Sequence, residues 1–192
     1  NSILQLMSCT SGITKAITSN CTTQLSGGLE VTAWAWNRTD MTLTYDGTTL
    51  NKITNITAVN AAKIFKINGV KNLIDGGHDR VVAENRADTF KHVVSLEFFE
   101  KTAADIFAQD AISDIVICVE TKDKGTGGDG TFFVYGCGQG LYPASDTRRY
   151  KTSQGSRVVS FETLAGQEEK YSSFVLLKTD YATTLALLEG LD

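Results

Sequence analysis

A chain of 192 residues, 42% hydrophobic and 21% charged, carries enough apolar material for one packed core and argues against an intrinsically disordered protein. A formal net charge of −4 argues against a surface built to grip nucleic acid, because neutralising phosphates takes clustered Lys and Arg. A single proline argues against a string of Pro-rich linkers, and no apolar run approaches the roughly 20 residues that span a bilayer.

Residues 1–28 read as an N-terminal arm, rich in Ser, Thr, Asn and Gly, with apolar residues scattered at Ile3, Leu4, Leu6, Ile13 and Ile17. Leu29–Asn37 then alternates with the period of a strand: Val31, Ala33 and Ala35 on one face, Thr32, Trp34 and Trp36 on the other. Small residues opposite two indoles suggest a strand covered on both faces; the competing reading is an exposed pair of indoles on which a sugar could stack. Met41–Tyr45 alternates again and meets Asp46-Gly47, a hairpin-turn pair, before a weaker strand at Lys52–Thr57. Lys63–Ile67 meets a second turn pair, Asn68-Gly69, and Val70–Ile74 reads as the returning strand. Residues 75–88 are rich in glycine and charge and read as a long loop or extended hairpin tip; structureless loops of that length are commonly binding loops.

The second half is more strongly patterned. Phe90–Glu100 is the longest strand candidate, with Val94, Leu96 and Phe98 on one side and Val93, Ser95, Glu97 and Phe99 on the other. Lys101–Ile112 changes to helical spacing, with Thr102 as N-cap, Asp105 three residues on, and an apolar stripe of Ala103, Ile106, Phe107 and Ala111. Asp114–Thr121 is apolar without alternation at its centre, the mark of a strand buried on both sides. Thr131–Tyr135, Arg157–Leu164 and Ser173–Leu177 complete the strands, and Asp180–Leu191 carries Tyr181, Leu185, Leu188 and Leu191 near helical spacing. The fold expected is mainly β, an antiparallel sandwich or barrel with one packed helix, a long extended loop and a short C-terminal helix.

Little in the chain resembles catalytic equipment. Gly125-Thr126-Gly127-Gly128-Asp129-Gly130 spells a dinucleotide motif, but the residues that follow, Thr131–Tyr135, form a strand where a phosphate site requires a helix N-terminus. Cys137, in Gly136-Cys137-Gly138-Gln139-Gly140, lacks a sequence partner that would activate it; the histidines His78 and His92 sit elsewhere, and the glycines read as a bulge or close backbone approach. Cys118 reads as a small buried hydrophobe. Cys9 and Cys21 are compatible with a bridge or with free thiols. Asn20, Asn37 and Asn55 head glycosylation-type triplets of the kind a Thr-rich chain produces by chance. Asp75, Asp79, Asp123 and Asp129 are Gly-flanked acids without the spacing of an EF-hand. The basic cluster Arg148-Arg149-Tyr150-Lys151 reads as a solvated turn. The expectation is a protein without enzymatic activity, cofactor or metal.

Taken together, this layout resembles the bacteriophage tail-tube proteins, a family related to the tube of type VI secretion systems. The resemblance rests on the arm of residues 1–28, the extended loop of 75–88, the long strand after it, the helix Lys101–Ile112 and the tail of 180–192. The run Tyr135–Leu141, followed by a Ser/Thr/Arg loop and the strand Arg157–Leu164, also resembles structural proteins of phages infecting Bacteroidota-type hosts. The resemblance implies one tail-tube-like β domain over 1–192 that polymerises as stacked, hexameric rings into the conduit for DNA ejection. Its location would be the virion tail, assembled in the host cytoplasm. Its partners would be copies of itself, other phage tail proteins and DNA in transit, with no specific DNA binding and no membrane. On that reading Gly76, Gly77, His78, Asp79 and Arg80 form the subunit-interface loop, and Glu97 and Glu100 face the lumen. A tail terminator, a capsid decoration protein, or a carbohydrate-binding sandwich using Trp34 and Trp36 are the alternatives.

Overall fold

The computed structural model describes residues 27–69 and 73–192. Most of the expected arm, the Cys9–Cys21 pair, the triplet at Asn20 and the start of the return strand at Val70 lie outside the described residues. The strands are β1 (Leu29–Asn37), β2 (Met41–Tyr45), β3 (Lys52–Ala58), β4 (Phe65–Asn68), β5 (Ile74–Val81), β6 (Thr89–Phe98), β7 (Ile115–Thr121), β8 (Phe132–Tyr135), β9 (Tyr142–Arg148), β10 (Arg157–Glu162) and β11 (Phe174–Leu176). Helix α1 (Ala103–Asp110) lies between β6 and β7, and α2 (Tyr181–Gly190) follows β11. Seven strands form one sheet in the order β2-β3-β11-β8-β7-β1-β4, and four form a second in the order β5-β6-β10-β9. Pairing is antiparallel except where β11 runs parallel to β3. The fold is mainly β and sandwich-like, and the two sheets do not close into a barrel.

The core follows from two strands with apolar residues on both faces. On one side of the seven-stranded sheet, Trp34 and Trp36 of β1 and Val116 and Cys118 of β7 pack with Phe132, Val134 and Leu188 of α2. On the other, Ala33, Ile115, Ile117 and Val119 meet Val94, Leu96, Val159 and Phe161 of the four-stranded sheet. The alternation in β1 and the unbroken apolar run in β7 therefore have one cause: helix on one side, second sheet on the other. Asp180 caps α2 by accepting from the Thr183 amide, and the chain passes so close at Gly128 that a Cβ there would lie 2.6 Å from the Tyr181 nitrogen. Gly128 also holds φ +88°, so only glycine fits without strain.

Three expectations need correction. Residues 75–88 are not a loop: β5 pairs with β6 from Ile74↔Leu96 to Val81↔Thr89, leaving only 82–88 as a tip. The strand was hidden because its inward position Gly76 lies under Tyr135, where a Cβ would stand 3.2 Å from the ring, and its other residues are mostly charged. The segment following Leu141 is not a loop either; Tyr142–Arg148 is β9, an exposed edge strand beside β10, where Pro143 is tolerated. Ile74 opens β5 in the second sheet rather than returning along β4. Helix α1 forms with Thr102 accepting from the Asp105 amide, as its cap spacing predicts, but none of its residues is buried and Phe107 is 80% exposed. The expected packed helix is held at its end by Arg157, whose guanidinium bonds Asp110 on α1 at 2.7 Å.

Candidate functional site

The four-stranded sheet presents one face inward and one outward. Val94 and Leu96 of β6 and Val159 and Phe161 of β10 enter the core, so the residues between them face away. Register places these outward residues in rows across the sheet. Asp75, Ser95, Ser160 and Ser145 form one; Gly77, Val93, Glu162 and Tyr142 form the next; Glu97, Val158 and Thr147 form a third. Beside them Asp79 pairs across from Lys91. The face is made of small and polar side chains with the carboxylates of Asp75, Asp79, Glu97 and Glu162 against the ammonium of Lys91. Lys91 Nζ lies 2.5 Å from Glu162 Oε2, which leaves the face acidic after that pair is neutralised. No described element covers this face, and β5 and β9 each have a neighbour on one side alone.

The residues expected at the site divide. Gly76, Gly77, His78, Asp79 and Arg80 all lie on β5, an edge strand, not on a loop. Gly77 and Asp79 belong to the outward face; His78 lies edge-on to Phe90, and Arg80 stacks over the same ring at 5.1 Å while bonding Asp88 at the tip. Glu97 is on the outward face, where it accepts a short hydrogen bond from Ser156. Glu100 is not: β6 ends at Phe98, and the Glu100 backbone carbonyl instead accepts from Arg148. Trp34 and Trp36 are each 1% exposed, inside the core, which removes them as a sugar-stacking platform. Their sequence pattern fitted both readings; α2, packed over them, decides between the two.

The remaining motifs are structural. The glycine run at 125–130 is the β7–β8 connection, with a short helical turn at Thr126–Gly128 whose Gly127 breaks the helical geometry. Cys137 is buried, and its burial, with Glu169 nearby, pushes the thiol well above its usual range, the opposite of an activated nucleophile. Cys118 is raised for the same reason of burial. Rather than interrupting a strand, Gly136–Gly140 turns the chain after β8, Gly140 donating to the Gly136 carbonyl at 2.9 Å. The Gly-flanked acids are split between β5 and the β7–β8 connection, and among the described residues no three potential ligands gather to hold a metal.

Sequence reasoning missed one buried polar assembly. His92 is fully buried on β6; its Nδ1 accepts from the Gly136 amide at 3.0 Å, so Nε2 must carry the proton it donates to the Tyr171 carbonyl at 2.7 Å. Burial lowers its pKa to about 4, so the ring is neutral. Glu169 accepts from the Gly138 and Gln139 amides at 2.9 and 2.7 Å, and burial raises its pKa. These two side chains tie β6 and the segment after β10 to the glycine turn, joining the two sheets. The signal available was a histidine at an inward position of an alternating strand. No family model matches the chain, and no curated protein or solved structure is detectably similar to it.

Proposed function

We propose that this chain is a structural subunit of a bacteriophage tail tube, assembling with copies of itself into stacked rings whose lumen is lined by the four-stranded sheet. One observation carries the reading: a sheet with an uncovered, acidic, small-residue face and free edges at both β5 and β9. A monomer with two such edges is prone to uncontrolled strand pairing, and closing copies into a ring, β5 of one against β9 of the next, removes both edges at once. The face then becomes a continuous inner wall. Carboxylates there repel a passing duplex, which suits a conduit through which DNA slides without being held. Hexameric closure, head-to-tail stacking into an open filament and contact with other tail proteins complete the proposal. No step calls for a cofactor or a catalytic group.

A tail terminator would share the ring but stop after one layer. Negative-stain electron microscopy of the purified protein over a range of concentrations tests the proposal. Hollow rings or stacked tubes are expected, with single rings alone favouring the terminator. A protein that stays monomeric up to millimolar concentration, by light scattering and by microscopy, overturns it.

A further inference from the structure

At one end of the inter-sheet space an apolar cleft of about 420 Å³ stands open between the β4 edge and α1. Its walls include Ala35, Phe65, Ile67, Phe98, Ala108 and Ile112. Phe65 at the rim is 58% exposed, and α1 beside it buries none of its residues. A helix of eight residues is too short to be stable by itself in water, so its uncovered apolar side calls for a partner. The chain supplies a suitable one. Residues 1–26 contain Ile3, Leu4, Leu6, Met7, Ile13, Ile17 and Leu25 and a single charged side chain, Lys15. Disordered segments are characteristically poor in apolar residues and rich in charge, and this one is the reverse.

We infer that residues 1–26 of one copy occupy the cleft of a neighbouring copy. The direction follows from where the segment joins the fold. It enters at Gly27, before the first residue of β1, whereas the cleft is lined by Ala35 and Asn37 at the far end of that strand. Reaching its own cleft would mean doubling back along about 30 Å of strand. Continuing away from the molecule, a segment of this length spans up to about 85 Å, ample for the cleft of the next copy in a head-to-tail stack. The inference rests on the self-assembly proposed above and gives it a specific contact between copies.

Cross-linking in the full-length protein tests it. A variant carrying Cys21→Ser and Ala108→Cys has one thiol in the segment, Cys9, and one at the cleft; Cys118 and Cys137 are buried. A short bismaleimide should give a ladder of covalent dimers and longer chains on a denaturing gel. Adding Leu4→Asp and Leu6→Asp should cut the ladder at least tenfold, as should moving the cleft cysteine to the remote β2–β3 turn as Thr48→Cys. A link formed only within one chain, or a ladder equally strong from the turn position, overturns the inference. Tubes seen by microscopy without a ladder overturn it while leaving the tube reading standing. A ladder without rings or tubes supports the docking and removes the tube.

Discussion

The two sheets are finished differently. The seven-stranded sheet has α2 and the buried indoles on one side and the second sheet on the other, so its central strands have no solvent face. The four-stranded sheet is covered once, and its outer face and two edges are left bare. A protein that functioned alone would gain by covering or blunting those edges. The asymmetry assigns stability to one sheet and assembly to the other, and substitutions should separate the two properties accordingly.

The largest effect belongs to the covered sheet. Trp34→Ala removes a side chain that is 1% exposed and edge-on to Phe132, and is expected to cost about 3–5 kcal/mol from lost burial and the cavity left behind. Urea denaturation of the variant should show a far lower midpoint, with assembly lost only because the fold is. Val93→Ala on the bare face should change the midpoint little. Comparable losses at the two positions would break the division between the sheets.

Next in size is the junction of the two sheets at His92. Its folded pKa of about 4 lies below the usual value near 6.5, so the unfolded chain binds the extra proton first. Stability contributed by the neutral ring is complete above about pH 6.5 and is lost as pH falls towards 4, by about 3 kcal/mol in all. Protonation would place an N–H at Nδ1 where the Gly136 amide now donates. Glu169 works in the opposite sense: its raised pKa favours the folded state at low pH, and that contribution is lost as pH rises through the folded value. The informative quantity is therefore the difference between wild type and His92→Gln, measured by urea denaturation from pH 7 to 4. A difference that shrinks towards low pH is expected; a constant one would mean that His92 does not titrate in this window.

The covered sheet was also the legible one. β1, β7 and the α2 spacing could be read from the sequence because burial on both sides writes itself as apolar composition. β5 and β9 could not, since an edge strand with a polar outer face has neither alternation nor an apolar run. In β5 the inward positions are taken by Gly76, His78 and Arg80, whose contacts with Tyr135 and Phe90 come from other strands. The candidate site was thus half visible: its residues were singled out at Gly76–Arg80 and Glu97, but as a loop and an isolated acid. What joins them into one face is register, which depends on pairings between β5, β6, β10 and β9 that no local pattern records.

Helix α1 gives a smaller effect. Thr102→Ala removes the cap to the Asp105 amide and should cost about 1 kcal/mol, confined to the helix because none of its residues is buried. Hydrogen exchange should show faster exchange at 103–110 and unchanged protection in β7. Global destabilisation would mean that α1 belongs to the core after all.

The smallest effect on stability should accompany a large effect on assembly. Glu162→Gln breaks the partly exposed pair with Lys91 and is expected to cost less than about 1 kcal/mol, an amount that added salt would reduce further. Glu162→Lys adds to this a change of two charge units on the outward face, beside Lys91. In an isolated subunit that face is solvated, and the added lysine should remain nearly silent in denaturation. In a ring the same side chain would repeat around the inner wall, turning a surface that repels duplex DNA into one that attracts it. The check is sedimentation of assembled tubes with short duplex DNA at low and moderate salt. Wild-type tubes should leave the DNA in the supernatant, and Glu162→Lys tubes should carry it down in a salt-sensitive manner. If both behave alike although the variant assembles, the acidic face does not line the lumen, and the bare sheet must be turned towards another partner.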